Sequence, residues 1–443
     1  MHNVSIVAWL ALLATGCDPA AASSDAGTAD GARAADAARQ IDARPGTVPD
    51  GTTSPIPDSG VVAAATCQPA RLTYYDVVGS GACEVMDVPA ALPAIARAGL
   101  TAAIAEPWYG GSFGGPPAEA CGECWEITTA HATRTVVVTD LCPIAGNPVC
   151  AGGVFHFDLA HTAAVALDYI MAGIIESEAH RVACPVEGNI SAVIRDANPG
   201  FIRLALASPR IAIHTVEYRG SGNGVASQNP WTAMNRDGGA WAATGDITRG
   251  GTGVALRLTS AQGQTVTSSV TVANQGPFPR AVDLGVQVDD LGPPSGAACS
   301  FTVPPPYQDG FGGIDQVRWK YTAFNQGAID EASTSGCISG TCFAASLSAF
   351  GGFNFYYPED FARAGLTRLV VHARSSDAAP IEIKLSGPAG NCTGVPATLG
   401  ASFSEIDVDL ATVCAAVPRL RAIQVQVTRN SAGSVVLDDV SFE

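Results

Sequence analysis

Short apolar stretches alternate with turn residues between residues 67 and 186, and period-two alternation with turns roughly every 8–12 positions follows between 187 and 292. Thr135-Val136-Val137-Val138-Thr139 predicts a dense β-branched strand, and Val154 to Leu159 predicts another. Alternation returns in Ile202 to Leu206, Thr215 to Tyr218, Ala255 to Leu258 and Thr265 to Thr267, the pattern of a β-sandwich with one face of each strand toward a core. Farther on, Phe353, Phe355, Tyr356 and Tyr357 predict a near-alternating strand, and Val435 to Phe442 a closing one. The one helix expected in this region runs from His161 to Ile174, on its Ala, Leu and Ile content. The expected class is all-β.

The start of the chain departs from that pattern. Val4 to Gly16 is an apolar run of thirteen residues. That is short of the about 20 needed to cross a bilayer, and it suits the core of a signal peptide. Leu13-Ala14-Thr15-Gly16-Cys17 resembles a lipobox and makes Cys17 a lipidation candidate, with Ala14 where Leu is usual and no Lys or Arg ahead of the run. A signal peptide cut nearby, without lipid, is the alternative. Residues 18–66 are mostly Ala, Asp, Gly, Ser, Thr and Pro and contain no aromatic. Such a segment buries too little apolar surface to offset its ordering entropy, so a tether is expected there. The expectation is an exported protein, extracellular or at the cell surface, and an outer-membrane lipoprotein if Cys17 is modified.

Composition narrows the partners. The 443 residues include 48 Gly and 29 Pro, in keeping with many turns, and the formal net charge is −17. That charge argues against nucleic acid, which needs a basic footprint, and against docking on anionic lipid. No phosphate loop or dinucleotide fingerprint occurs, and His131, His156, His161 and His180 have no ligand-pair spacing, so neither cofactor nor metal is expected. Of 13 cysteines, Cys17 stands apart. Seven of the rest lie between Cys67 and Cys184 and five between Cys299 and Cys414, so full pairing requires a bridge between the groups, with Cys67 and Cys299 as candidates. Cys337 with Cys342 and Cys392 with Cys414 are local pairs by proximity. Cys121-Gly122-Glu123-Cys124 could serve zinc or redox chemistry, but export favours disulfides.

Four motifs in order carry the chemistry: Leu72-Thr73-Tyr74-Tyr75-Asp76 followed by Gly81-Ala82-Cys83, Ala120 to Ile127 around the cysteine pair, Val138-Thr139-Asp140-Leu141-Cys142-Pro143, and Phe155-His156-Phe157-Asp158-Leu159. Together they resemble the expansin family and its relatives, the family-45 glycoside hydrolases. The resemblance implies a six-stranded double-psi β-barrel over residues 67–186, with bridges Cys83–Cys121, Cys124–Cys184 and Cys142–Cys150. It also implies that Asp158 is the acid on which hydrolysis or wall loosening depends. Asp140 is its companion at a strand end, and Thr73, Tyr74 and Tyr75 contact sugar. A carboxyl in a groove walled by Phe155, Phe157 or Tyr75 would be pushed toward its protonated form and could donate to a glycosidic oxygen. The plain structural alternative makes Asp140 a turn residue and Asp158 a cap for the following helix. Asp76 separates two mechanisms, because an inverting hydrolase needs a base across from its acid. The relatives with a base have an Asp near that place, and the typical expansin has none.

Residues 187–292 resemble the expansin second domain, a family-63 carbohydrate-binding module, through Trp231-Thr232-Ala233-Met234-Asn235-Arg236, Trp241, Leu258-Thr259-Ser260 and Gly263 to Thr267. That resemblance implies an immunoglobulin-like sandwich with a reduced stacking platform of Phe201 and Trp241, and Trp231 in the core. Residues 293–443 resemble jelly-roll carbohydrate-binding modules in their Leu-Asp-Asp ending, with surface aromatics as further binding area. The reading is a monomeric protein that binds polysaccharide (cellulose, xyloglucan, another β-glucan or peptidoglycan) and loosens it without cutting. The rivals are an endoglucanase with Asp158 as acid and Asp76 as base, an adhesive lipoprotein, and a lytic activity on peptidoglycan.

Overall fold

The computed structural model describes residues 66–110, 118–145, 147–151, 154–169, 173–222, 229–272, 276–290, 298–314 and 317–443. The expected leader, Cys17 and the linker up to residue 65 lie outside them. The described chain is almost entirely strand and turn.

The first six strands close into a barrel. They are β1 (Gln68–Tyr75), β2 (Thr101–Ala105), β3 (Cys124–Thr128), β4 (Thr133–Cys142), β5 (His156–Ala160) and β6 (Ile175–Val182), hydrogen-bonded in the order β1-β5-β2-β4-β3-β6, with β6 returning to β1. The pairs β1–β5 and β2–β4 are parallel and the others antiparallel. Closure leaves no open edge. Short helices α1 (Ala94–Arg97), α2 (Glu106–Tyr109) and α3 (His161–Ala166) cover it. The helix expected as far as Ile174 is therefore only six residues long. Asp168 takes a left-handed backbone, φ 58°, which an α-helix cannot continue, and the chain is a strand again by Ile175. Phe155 and Phe157 do not wall a groove. They are buried with Trp125 in the barrel core, their rings 4.9 Å apart edge to face.

Nine strands follow: β7 (Ser191–Asn198), β8 (Phe201–Ala207), β9 (Ile213–Gly220), β10 (Thr232–Ala233), β11 (Asn235–Asp237), β12 (Ala240–Thr244), β13 (Gly253–Ser260), β14 (Thr265–Thr271) and β15 (Arg280–Asp283). They make a four-stranded sheet, β10-β9-β13-β14, and a five-stranded sheet, β11-β12-β8-β7-β15. The central strands of the five-stranded sheet, β7, β8 and β12, are covered on both faces. Ile194, Ile202, Leu204 and Trp241 enter the sandwich core, while Val193, Ala205, Ala207 and Ala240 on the other face join the barrel core. Small residues let the two units approach closely. A Cβ on Gly239 would meet the Ala82 carbonyl oxygen at 2.3 Å. At the rim, Arg203 forms a bidentate pair with Glu84 and Arg195 pairs with Asp87 at 2.8 Å.

The last part contains β16 (Gly313–Ile314), β17 (Val317–Arg318), β18 (Lys320–Ser333), β19 (Cys342–Ala362), β20 (Arg368–Arg374), β21 (Pro380–Gly387), β22 (Gly390–Asn391), β23 (Val395–Thr398), β24 (Ser404–Asp409), β25 (Arg419–Val427) and β26 (Gly433–Phe442). The long β19 pairs with β26 through its first half and with β25 through its second, joining the two layers of a β-sandwich. Phe353, Phe355 and Tyr357 are core residues around buried Trp319 and Phe343, so this row offers no stacking surface. The sandwich meets the barrel where Tyr357 donates to Glu176 at 2.8 Å and Arg419 donates to the Ala130 carbonyl at 3.2 Å.

Six disulfides join Cys67–Cys299, Cys83–Cys121, Cys124–Cys184, Cys142–Cys150, Cys337–Cys342 and Cys392–Cys414. Cys121 and Cys124 thus go to different partners and hold no zinc. Each cluster of His, Cys, Asp and Glu with metal-ligand proximity among the described residues contains one of these cystines.

Candidate functional site

Four neighbouring barrel strands bring a row of side chains into register. Thr73 on β1 is opposite Asp158 on β5, Asp158 is opposite Ala103 on β2, and Ala103 is opposite Asp140 on β4. Opposed residues in a sheet share a face, and adjacent strands lie about 4.8 Å apart. The two carboxylates therefore flank one alanine, with backbones roughly 10 Å apart. Ala103 carries only a methyl group and is itself 2 % exposed, so no bulky side chain stands between the two acids. Ala103, Ala105 and the Cys142–Cys150 cystine form an apolar floor there, with Tyr75 and Trp108 packed against it.

Asp158 is 8 % exposed. Thr73 Oγ1 donates to its Oδ1 at 2.6 Å, and Cys142 Sγ, a cystine sulfur with no proton to give, lies 3.6 Å from Oδ2. Burial raises the Asp158 pKa; the Thr73 hydrogen bond opposes that rise and the charge of Asp140 adds to it. A carboxyl so placed is biased toward the protonated form that can donate to an oxygen. It does not cap α3, whose N-cap is Ala160 with no side-chain bond.

Asp140 is held more polarly. It accepts from the Ala82 amide at 2.7 Å, from the Leu141 amide at 2.9 Å and from Tyr75 Oη at 3.1 Å. Burial and the neighbouring Asp140 push the Tyr75 phenol well above its ordinary range, so Tyr75 remains a donor. The two acids thus sit in different environments, one desolvated and one fixed by three donors.

The sugar-contact candidates divide by face. Thr73 and Tyr75 point with the acids. Tyr74 points the other way, 37 % exposed, its ring edge to face with His161 at 5.8 Å and Tyr169 at 6.2 Å. Asp76 is exposed, immediately beyond the end of β1. It is three residues past Thr73, roughly 10 Å along the strand direction. Among the described residues no side chain or backbone amide holds its carboxylate.

Phe201 and Trp241 cannot form one platform. Trp241 is opposite Leu204 and is 5 % exposed in the sandwich core, with the Arg236 guanidinium 4.0 Å from its ring centre. Phe201, three positions before Leu204 on β8, points to the opposite face and is half-buried. Trp231, expected in the core, is instead half-exposed between the guanidinium groups of Arg219 and Arg257, 4.7 and 4.9 Å from its ring.

His156 escaped the sequence reading. Its Nε2 lies 2.9 Å from Thr73 Oγ1, so one hydroxyl bridges the imidazole and Asp158. His156 is fully buried, and burial, assisted by the Arg71 charge, pushes its pKa down to about 3, which keeps it neutral. Arg71 in turn donates to the Val149 and Ala151 carbonyls. The two-residue spacing of His156 and Asp158, matched by Arg71 and Thr73, was the available signal, because alternate strand residues share a face.

Residues 70–188 match the family model described as EXPB1-like domain 1. Over 131 residues the chain is 33% identical to Expansin-like protein 2 of Dictyostelium discoideum, covering 30% of this chain and 30% of that protein. It is 26% identical over 274 residues to Expansin-like protein 8 of the same organism, covering 58% of this chain and 53% of that one. The chain thus spans about half or less of the length of these curated relatives. Among solved structures, the Clavibacter michiganensis expansin aligns with 50% of this chain and 98% of its own, at 21% identity and a TM-score of 0.39. The row of Thr73, Asp158, Ala103 and Asp140 lies inside the matched segment, and residues 70–188 of this chain are an expansin-like domain.

Proposed function

We propose that this protein binds cell-wall polysaccharide in the groove above Ala103 and loosens it without cutting, with Asp158 as the group that acts on the glycan. The observation that carries this reading is the Asp158 carboxyl, 8 % exposed and bonded by Thr73 beside a buried apolar patch of Ala103, Ala105 and the Cys142–Cys150 cystine. A protonated carboxyl there can donate to a glycosidic oxygen, and Asp140 and Tyr75 can order neighbouring hydroxyls. Hydrolysis by inversion also needs a base held opposite the acid with room for a water. Asp76 is the candidate, and among the described residues nothing holds it in place, which favours loosening over cutting. Six disulfides support an oxidising compartment, and hence the cell exterior as the place of action. Among the described residues no helix is long and apolar enough to cross a membrane.

The test measures reducing ends released from amorphous cellulose, xyloglucan, mixed β-glucan and peptidoglycan, beside the mechanical weakening of cellulose paper. The expectation is weakening without sugar release, lost in Asp158→Asn. Sugar release abolished by Asp76→Asn would overturn it in favour of an endoglucanase. Weakening that persists in Asp158→Asn, or tight binding with no weakening at all, would reduce the protein to an adhesive.

A further inference from the structure

A second hollow lies far along the chain from the barrel groove, at the corner where β19 leaves its pairing with β26 for its pairing with β25. Its volume is about 360 Å³, and Ser346, Ser348, Ser376, Ser434 and Asp377 supply its polar lining. That volume is at the small end of ligand sites and suits one or two sugar rings. The lining is built rather than loose. Asp377 accepts from Ser375 Oγ at 2.5 Å, from the Ser434 amide at 3.2 Å and from Ser434 Oγ at 3.3 Å, and it pairs with Arg429. These donors, Ser375 first, hold its pKa down near about 2, so the carboxylate is charged and fixed at any ordinary pH. Ser376 and Ser434 share a hydrogen bond at 2.9 Å. Among the described residues the hydroxyls of Ser346 and Ser348 have no protein partner and are free to serve a ligand.

Next along β19 from this polar cup is an exposed aromatic. Phe350 is two residues beyond Ser348 and 47 % exposed. Its backbone is left-handed, φ 54°, a conformation that bulky residues rarely adopt. The backbone is pinned there: the Phe350 amide donates to the Arg429 carbonyl and Gln426 donates to the Phe350 carbonyl. The next residue must be glycine, since a Cβ on Gly351 would lie 2.2 Å from the Asn325 carbonyl oxygen. A ring on a pinned backbone two residues from a cup of hydroxyls and one carboxylate suits the two surfaces of a pyranose, an apolar C–H face and a rim of hydroxyls.

We propose that this corner binds a single or terminal pyranose of a neutral glycan, with Asp377 and the serines taking its hydroxyls and Phe350 covering its apolar face. The Asp377 carboxylate is paired with Arg429, so the cup itself suits a neutral sugar, and the chain's net charge of −17 disfavours uronates. The proposal rests on the reading that this chain holds polysaccharide, but it places that contact outside the barrel.

The experiment titrates the full chain with the methyl glycosides of glucose, xylose, galactose, mannose and glucuronate, read by saturation-transfer NMR and calorimetry. At least one neutral glycoside is expected to bind at millimolar concentration, with glucuronate at least threefold weaker. Phe350→Ala and Ser348→Trp, both at exposed positions, are expected to weaken that binding at least tenfold with unchanged circular dichroism and melting. Asp158→Asn is expected to leave it unaltered. Absence of binding by every neutral glycoside, or binding that survives both corner variants, overturns the proposal. Glucuronate binding as tightly as the neutral sugars overturns its charge selectivity. Binding lost in Asp158→Asn and kept in the corner variants assigns the sugar to the barrel groove, which sinks this proposal and leaves the groove reading intact.

Discussion

Asp140 and Asp158 face the same residue, Ala103, from opposite sides of β2. The strand between two acids is thereby the one place in the groove where side-chain volume matters most. Ala103→Leu adds three carbons there while keeping the site apolar. Overpacking of this kind costs about 1–3 kcal/mol. The expected result is a folded protein with a modestly lower melting temperature, no paper weakening, and at least tenfold weaker retention on whichever polysaccharide the native protein binds. Unchanged activity would remove the groove from above Ala103.

Thr73 opposes the effect of burial on Asp158. Thr73→Val removes the hydroxyl and keeps the shape, so the Asp158 pKa should rise further. A hydrogen bond to a charged group is worth about 1.5–3 kcal/mol, which corresponds to about one to two pH units. Carboxyl ¹³C NMR across a pH series reads this directly. The same variant removes the partner of His156 Nε2, so the imidazole ¹⁵N shifts should move while Asp140 does not.

Stability should fall as pH rises through neutrality. Glu359 is buried at the contact between barrel and last sandwich, and burial, with Asp360 beside it, raises its pKa to about 8. Glu176, which accepts from Tyr357 across the same contact, is raised to about 7, chiefly by burial. Between the ordinary carboxylate value and these raised ones, the native state keeps protons that the unfolded chain has lost. Stability is therefore fully present below about pH 4.5 and declines toward pH 8, by at most about 1.4 kcal/mol per pH unit for each group. Chemical denaturation at pH 5, 6.5 and 8 checks the slope. Glu359→Gln should flatten it, and a slope that stays unchanged in that variant would assign the effect elsewhere.

The Cys67–Cys299 bridge closes a loop with a sequence separation of 232 residues. Chain-entropy arguments give roughly 5 kcal/mol for a loop of that length, against a usual 2–4 kcal/mol for disulfides in general. Replacing both cysteines with serine should lower the melting temperature of the last sandwich and barrel together. A calorimetric trace indistinguishable from that of the native chain would mean that the side-chain contacts around Tyr357 and Arg419 already hold the two units.

Much of this architecture is legible in the residues, and the failures share a cause. Val136 to Val138 and the alternation in Ala255 to Leu258 do become strands, because β-branched and alternating runs suit a pleated, partly buried surface. Resemblance alone places Trp241 on a stacking platform, and it is instead an inner-face residue of β12 in the sandwich core, while its neighbour Ala240 meets the barrel. Trp231 went wrong in the opposite sense: Arg219 and Arg257 on neighbouring strands flank its ring at a surface where a core position was expected. In the groove, Thr73, Tyr75, Asp140 and Asp158 could be named from motifs. Ala103 could not, since an alanine carries no chemistry and matters only through the register that puts it between two acids.

The cystine between Cys67 and Cys299 has a mechanical meaning as well as a thermodynamic one. It lies one residue before β1 begins and reaches past the barrel and the first sandwich to the start of the last part. Tension applied between the chain ahead of residue 67 and the last sandwich would travel through the sulfur–sulfur bond rather than through residues 68–298. The groove strands sit within that bypassed length. Such a load would leave Thr73, Asp158, Ala103 and Asp140 in register.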